Sequence, residues 1–252
     1  MLSKKIVKYI QSLNLKKFRD RDGVFIAEGP KVVGELLAEG TMKCTLMCAE
    51  KNWVFQNENL LTEVPRENIF ETDDQGLKTL SQLKTPNKVV AVFKKKEPAK
   101  SPNFAVKISI MLDDLQDPGN LGTIIRIADW FGIENIICSE NSVDCYNPKV
   151  VQSTMGSIAR VNVFYKDLEK FIGENKSIPV FATTLSGTSI FKLPKIKGGI
   201  ILIGNESKGI HDELLKLCNQ QITIPRFGHA ESLNAAVASG IIVSQLFGNS
   251  NS

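Results

Sequence analysis

The sequence predicts an α/β protein in two parts, a small unit followed by a larger one built on a parallel sheet. Three observations lead there. Short runs rich in Val and Ile alternate with stretches of helical period along most of the chain. In the second half these runs are almost continuously apolar, as expected of parallel strands covered on both faces. Between the two series lies KKKEPAKSPN (94–103), which carries four lysines and two prolines and no apolar residue except Ala99. This stretch is the expected linker between units 1–93 and 104–252.

In the first unit, Leu2, Ile6, Tyr9, Ile10 and Leu13 recur at helical spacing. A charged bend is expected at RDRDG (19–23), then an extended run, VFIAEG (24–29). Pro30 stands where a helix can begin, and Val32, Val33, Leu36 and Leu37 keep helical period until Gly40 ends it. Strands are expected at 45–49, 68–72 and 88–93, with a helix marked by Leu77, Leu80 and Leu83 between the last two. In the second unit, strands are expected at KISIML (107–112), NIIC (135–138), VNVF (161–164), PVFATT (179–184), GIILIG (199–204) and QITI (221–224). A helix, SLNAAVASGIIVSQLF (232–247), follows the last of them.

Composition narrows the function. At 42% hydrophobic and 23% charged, the chain reads as an ordinary soluble globular protein. It has no apolar run long enough for a membrane span and no signal-peptide core at its start. The five cysteines are odd in number, scattered, and form no CxxC pair, so reduced, buried thiols are expected, which suits the cytoplasm. No metal site is expected. Residues 1–103 hold 18 Lys and Arg against 13 Asp and Glu, whereas residues 104–252 hold 13 against 14. The whole excess falls within residues 1–31, with 8 basic and 3 acidic groups. Either a phosphate-binding cluster or a solvated helix face accounts for it.

Three segments place Gly, Asn and charged residues at the C-terminal ends of expected strands, the edge at which open parallel sheets bind ligands. In LDDLQDPGNLGTIIRIADWFGI (112–133) a strand ends in acidic residues, turns, and enters a helix for which Asn120 is the expected N-cap. Arg126 follows on that helix. ILIGNESKGI (201–210) contains GxxxxG, but Ile210 and His211 follow Gly209 where a phosphate loop requires Lys and Ser or Thr. No GxGxxG is present either. In ITIPRFGHAESLNAAVASGI (222–241) a polar loop leads to Ser232 and Asn234, which open a helix of small residues.

Taken in this order, NLGTIIRIAD, GNESKGI and IP…ESLNAAVASGI resemble the three signature motifs of the SpoU (TrmH) family of RNA ribose 2'-O-methyltransferases. The resemblance covers about residues 105–248. FIAEGPKVVGELL (25–37) also resembles the substrate-binding domain that precedes the catalytic domain in many members. The resemblance implies a C-terminal domain tied in a deep trefoil knot (the SPOUT fold), although chains as a rule do not knot. It also implies bent S-adenosylmethionine bound in the knot loops, and a homodimer that completes each active site. Carried over residue by residue, Asn120, Arg126, Glu206, Ser232 and Asn234 match the catalytic set. Thr183, Gly204, Ile224 and Leu233 fall where the family contacts the cofactor, so that Gly204→Trp should block the site without harming the fold. Lys16, Lys17, Arg19 and Arg21 are the expected RNA contacts. The extra N-terminal domain favours ribosomal over transfer RNA. A transfer-RNA enzyme, or an RNA-binding protein that kept the fold and lost catalysis, is the alternative.

Overall fold

The computed structural model describes residues 2–81, 87–97, 104 and 107–247, which leaves Leu83 and most of the expected linker outside the described residues. The first elements in chain order are α1 (Lys4–Ser12), α2 (Lys16–Asp22), β1 (Val24–Glu28), α3 (Pro30–Glu39), β2 (Cys44–Glu50), α4 (Lys51–Gln56), β3 (Ile69–Thr72), α5 (Asp74–Leu80) and β4 (Val89–Lys94). There follow β5 (Ile108–Leu112), α6 (Pro118–Trp130), β6 (Asn135–Ser139), α7 (Pro148–Thr154), β7 (Asn162–Lys166), α8 (Leu168–Glu174), β8 (Val180–Ser189), β9 (Gly199–Ile203), α9 (Asp212–Leu217), β10 (Gln220–Thr223) and α10 (Ala235–Leu246). Every expected strand is present. The chain divides into two compact units, Met1–Glu97 with Asp144–Ala159, and Pro98–Val143 with Arg160–Ser252. A single cut at 94–103 therefore misses one segment. Residues 144–159 join the first unit because Tyr146 packs on Phe25 with ring centroids 4.9 Å apart and α7 lies against β1.

The first unit holds a four-stranded mixed sheet in the order β1-β4-β2-β3. β1 pairs antiparallel with β4, and β2 pairs antiparallel with β4 and parallel with β3. VFIAE of β1 and VVAVF of β4 are buried throughout, so both faces of the sheet are covered there. α1 starts at Ser3, whose hydroxyl accepts from the Ile6 N–H, and its Ile10 and the following Leu13 reach the core. α3 starts with Pro30 at its first position and stops at Gly40 in the left-handed region, as its sequence predicts.

The expected charged bend at 19–23 is instead part of α2, closed by Gly23 at φ +64°. The reason is Arg19, which is buried, not solvated. Its guanidinium donates to the carbonyls of Leu13 (2.9 Å) and Asn14 (2.8 Å), just past the end of α1, and to Asp144 (2.6 Å). Arg19 thus satisfies carbonyls that a helix end leaves open and cannot contact RNA. Arg19→Ala would leave Asp144 without its partner and both carbonyls without theirs. Removing one member of a buried pair typically costs about 3–5 kcal/mol, whereas exposed Lys17→Ala should fall within about 0.5 kcal/mol of the parent. Urea unfolding of the two variants checks this, and a loss for Arg19→Ala no larger than for Lys17→Ala would refute the structural role.

The second unit holds a six-stranded sheet in the order β10-β8-β9-β5-β6-β7, with every pairing parallel among the described residues. ISIML of β5 and GIILI of β9 are fully buried at its centre, in register from Ile108↔Gly199 to Leu112↔Ile203. β8 runs further than its apolar pattern suggests. Between Gln221↔Ala182 and Ile222↔Thr188 the register against β10 shifts, so residues 183–187 bow out of the ladder. α10 packs against α6. Its end is held by the Ile196 N–H on the Leu246 carbonyl (3.0 Å) and by Lys195, whose ammonium donates to the carbonyls of Ser244 (3.3 Å) and Gln245 (2.5 Å). Ile242 and Leu246 are consumed by this packing within the subunit, while Trp130 of α6 and Val237 of α10 stay 84% and 53% exposed. No described helix is long and apolar enough to cross a membrane.

Candidate active site

The C-terminal ends of β5, β8, β9 and β10 meet on one edge of the second sheet. Past β5 the chain turns through Asp113, Asp114 (φ +53°) and Leu115 to Asp117. Asp117, not Asn120, caps α6: its carboxylate accepts from the Asn120 N–H at 2.7 Å, with Pro118 at the first helical position. An acidic residue directly before proline is a strong helix-start signal, because the carboxylate satisfies an open N–H and proline lacks one. Asn120 sits inside the first turn and is freed to use its side chain elsewhere.

Past β9 the loop folds back on itself. Asn205 and Gly209 exchange backbone hydrogen bonds (2.9 and 3.0 Å), and the Asn205 side chain accepts from the Ser207 and Lys208 N–H groups. Its amide donates to the Asp114 carbonyl at 2.7 Å, joining the first and second motif loops. A β-carbon on Gly204 would lie 2.3 Å from the Gly209 carbonyl carbon, so this crossing admits only glycine. Gly204→Trp would disrupt the loop itself, against the expectation of an intact fold. Buried Asp113 accepts from the His211 N–H (2.8 Å) and from His211 Nδ1 (2.9 Å), closing the loop at its far end.

The structure brings three of the five polar candidates into one chain of hydrogen bonds. The backbone N–H groups of Ala236 and Val237 at the start of α10 can only donate, so Asn234 Oδ1 accepts from them (3.0 and 3.2 Å). Asn234 Nδ2 must then donate, to Asn120 Oδ1 at 2.8 Å. Asn120 Nδ2 in turn donates to Glu206 Oε1 at 2.9 Å. This ordering fixes both amides without ambiguity and makes Glu206 Oε1 an acceptor. Burial opposes its charge, but the hydrogen bonds from Asn120 and from backbone N–H groups, including those of Asp117 and Gln116, prevail and hold its carboxyl below the usual range. Ser232 is exposed outside this chain. Arg126, exposed on α6, is joined to it by no hydrogen bond and makes no ion pair among the described residues.

Beside Glu206 opens a cavity of about 850 Å³, within the range of small-ligand sites. Its walls are the bulge within β8, the loop after β9, the loop after β10 and the start of α10. Thr183, Gly204, Ile224 and Leu233 all line it, as do Glu206 and Ser232. Its floor includes buried Ile203, Ile222 and Ile242. An apolar floor rimmed by backbone and hydroxyl groups fits a molecule with an aromatic base and a polar tail, as S-adenosylmethionine has. Among the described residues no group of three or more His, Cys, Asp or Glu is arranged to hold a metal. The cysteines form no disulfide among the described residues, and burial pushes the thiols of Cys44 and Cys48 up to about 11 and about 12.

Of the expected RNA contacts besides Arg19, Lys16 pairs with Asp20 (2.5 Å) and Arg21 with Asp22 (2.7 Å), while Lys17 lies over the Phe18 ring. Lys4, Lys5 and Lys8 on α1 are exposed with no ion pair among the described residues. Counting charge over residues 1–31 could not separate compensated groups from free ones.

A parallel sheet whose loop edge joins a cofactor-sized cleft to an oriented polar cluster defines an α/β protein with a candidate active site, and comparison with known proteins gives its class. Residues 107–244 match the model of the SpoU rRNA methylase family, and residues 4–91 match an MRM3-like substrate-binding domain. A 23S rRNA (guanosine(2553)-2'-O)-methyltransferase of Bacillus subtilis is 30% identical over 96% of each chain. A 23S rRNA (uridine(2479)-2'-O)-methyltransferase of Streptomyces viridochromogenes is 28% identical over 89% of this chain and 83% of its own. An S-adenosylmethionine-bound rRNA methyltransferase of Sinorhizobium meliloti superposes with a TM-score of 0.85 at 31% identity, covering 98% of this chain and 95% of its own. The chain belongs to the SpoU rRNA methylase family.

The Asp113–His211 pair gives this site a pH dependence. The hydrogen bond to Asp113, and then its charge, raise the His211 pKa above the ordinary 6.5. Stability from the charged pair is therefore complete below pH 6.5 and is lost as pH rises through the higher folded value. Melting temperature should fall with rising pH more steeply in the parent than in His211→Asn. Parallel curves from pH 6.5 upward would show that the pair does not tie the loop down.

Proposed function

We propose that this protein methylates a ribose 2'-hydroxyl of large-subunit ribosomal RNA, with S-adenosylmethionine held in the 850 Å³ cavity. The observation that carries this reading is the Glu206–Asn120–Asn234 chain at the rim of that cavity. When bound, the cofactor supplies a methyl group made electrophilic by its sulfonium. In the transfer the 2'-oxygen would bond to the methyl carbon as the carbon–sulfur bond broke, its electron pair staying on sulfur as a neutral thioether, and the hydroxyl proton would pass to solvent at the open rim.

The protein then has to align the acceptor and take up or relay that proton. Glu206, ionised and already held by Asn120, positions the rim and favours a nearby cation. Arg126 stays protonated in any protein environment, so we assign it to gripping the RNA phosphate and stabilising the developing alkoxide, not to acting as base. Ser232 and Leu233 shape the wall, and Thr183, Gly204 and Ile224 present backbone and apolar surface to the cofactor. The C-terminal segment threads a trefoil knot, supported by the return of α10 against α6 and by the clamp on its last turn. Two copies pair through the exposed apolar residues Trp130 and Val237, not through Ile242 and Leu246, which their own subunit already buries. Light scattering at micromolar concentration reads the pairing directly, and a monomer would contradict it. We place the protein in the cytoplasm with its substrate. The match to a substrate-binding domain over residues 4–91 favours ribosomal over transfer RNA.

Mass spectrometry of ribosomal and transfer RNA from cells lacking the protein should show one missing 2'-O-methyl group, in large-subunit RNA. In vitro, Ala238→Trp, which fills the cavity from α10, should abolish S-adenosylmethionine binding in calorimetry while the fold is kept. Arg126→Ala should keep that affinity and lose most turnover at saturating RNA. Undiminished affinity in the tryptophan variant would displace the cofactor from this cavity.

RNA docking should rest on the uncompensated lysines. Alanine at Lys4, Lys5, Lys8 and Lys17 removes up to four phosphate contacts. At about 0.9 per contact on duplex and about 0.7 on single strands, the slope of log affinity against log salt should shrink by up to roughly 3 to 4. Alanine at Lys16 and Arg21, both paired, should change it much less. Equal changes in the two variants would mean that pairing does not select the RNA contacts.

A further inference from the structure

Phe227 stands apart from every other side chain that lines the cavity. It is 93% exposed, although a large apolar ring normally seeks cover. It lies in an unbroken exposed stretch from Arg226 to Asn234, on the loop between β10 and α10. Across the same rim, Leu185 is 81% exposed on the bulge within β8. Thr223 donates its hydroxyl to the Leu185 carbonyl at 3.3 Å, so the bulge and the strand end before Phe227 form one wall.

The cofactor does not require this ring. Buried Ile203, Ile222 and Ile242 already give the cavity an apolar floor, whereas Phe227 stands on its exposed rim. Whatever covers the exposed ring arrives from solvent. The flanking charge identifies its chemistry. Arg226 directly precedes the ring and Lys208 lines the same cavity, beside the carboxylates of Glu206 and Glu231, so the rim offers cations to the phosphates of a chain whose flat base covers the ring. The core of an interface between copies of this chain would be depleted in such charges.

We propose that Phe227 is the platform on which a nucleobase of the acceptor RNA stacks, setting the depth at which the adjoining ribose enters the site. This rests on the assignment of RNA ribose methylation above. It makes Phe227 a positioning residue for the acceptor and not a cofactor contact.

The test uses the full-length protein, S-adenosylmethionine, and deproteinised large-subunit ribosomal RNA from cells lacking the gene. The parent must first methylate this RNA; failure there would reject the functional assignment and not this inference alone. Phe227→Ala should then weaken RNA binding and raise KM for RNA by roughly 10- to 100-fold, the range expected for losing one stacked base. Its S-adenosylmethionine affinity by calorimetry and its salt slope should stay at parent values, because a stacked base releases no counterions. Phe227→Trp should restore binding, whereas Phe227→Leu, apolar but without a π face, should not. Full binding by Phe227→Leu, or an unimpaired Phe227→Ala in a parent that methylates the RNA, would overturn the proposal. Loss of cofactor affinity with unchanged RNA binding would overturn it too and move the ring to the cofactor.

Discussion

A backbone N–H can only donate, and at the start of α10 that simple restriction orders the whole polar site. It turns the oxygen of Asn234 toward Ala236 and Val237, which leaves the Asn234 amide nitrogen to face Asn120. Asn120 is turned in the same way and presents its nitrogen to Glu206. Three side chains from three separate elements are thus oriented by one helix end. A carboxylate fixed in this way needs no reorganisation when charge develops beside it, which is the condition under which electrostatic stabilisation is most effective.

The cavity next to this cluster follows from the packing of strand ends in the second unit. β9 can run close to its own loop because Gly204 has no side chain, and Asn205 then pins that loop to the turn after β5. Asp113 and His211 secure the other end. The bulge within β8 opens the remaining wall, since residues 183–187 leave the ladder instead of extending it. The site is therefore made largely of main chain held by a few Asn and Asp side chains. Its titratable groups are few, and the free guanidinium of Arg126 is joined to none of them among the described residues.

The first unit uses charge differently. Arg19 lies inside it as a structural group bound to two carbonyls and Asp144, while its neighbours Lys16 and Arg21 are neutralised by adjacent aspartates. Among the described residues of this segment, the lysines of α1 with Lys17 and Lys31 remain without an ion pair. A basic segment is thus divided into structural, paired and unpaired groups at the level of single residues, and the division depends on which side chains the core and its neighbours can satisfy.

Much of this was legible in the chain itself. Period and apolar runs located the ten strands of the described residues, most clearly β5 and β9, which are buried on both faces of a parallel sheet and so are apolar along their length. The Pro30 start and Gly40 stop of α3 were legible for the same local reason, since φ alone decides them. The motif resemblance carried the family and gathered residues that line one cavity. Other features depended on distant partners. Arg19 became structural only through Asp144, far away in sequence. The Asp117 cap was legible in the local Asp-Pro pair, whereas the use of the Asn120 side chain by Glu206 and Asn234 was not. Residues 144–159 joined the first unit through Tyr146 and α7, which their local pattern does not reveal. Local conformation is set by neighbours along the chain, whereas the role of a polar side chain is set by whichever partner folding brings within about 3 Å, the reach of a hydrogen bond.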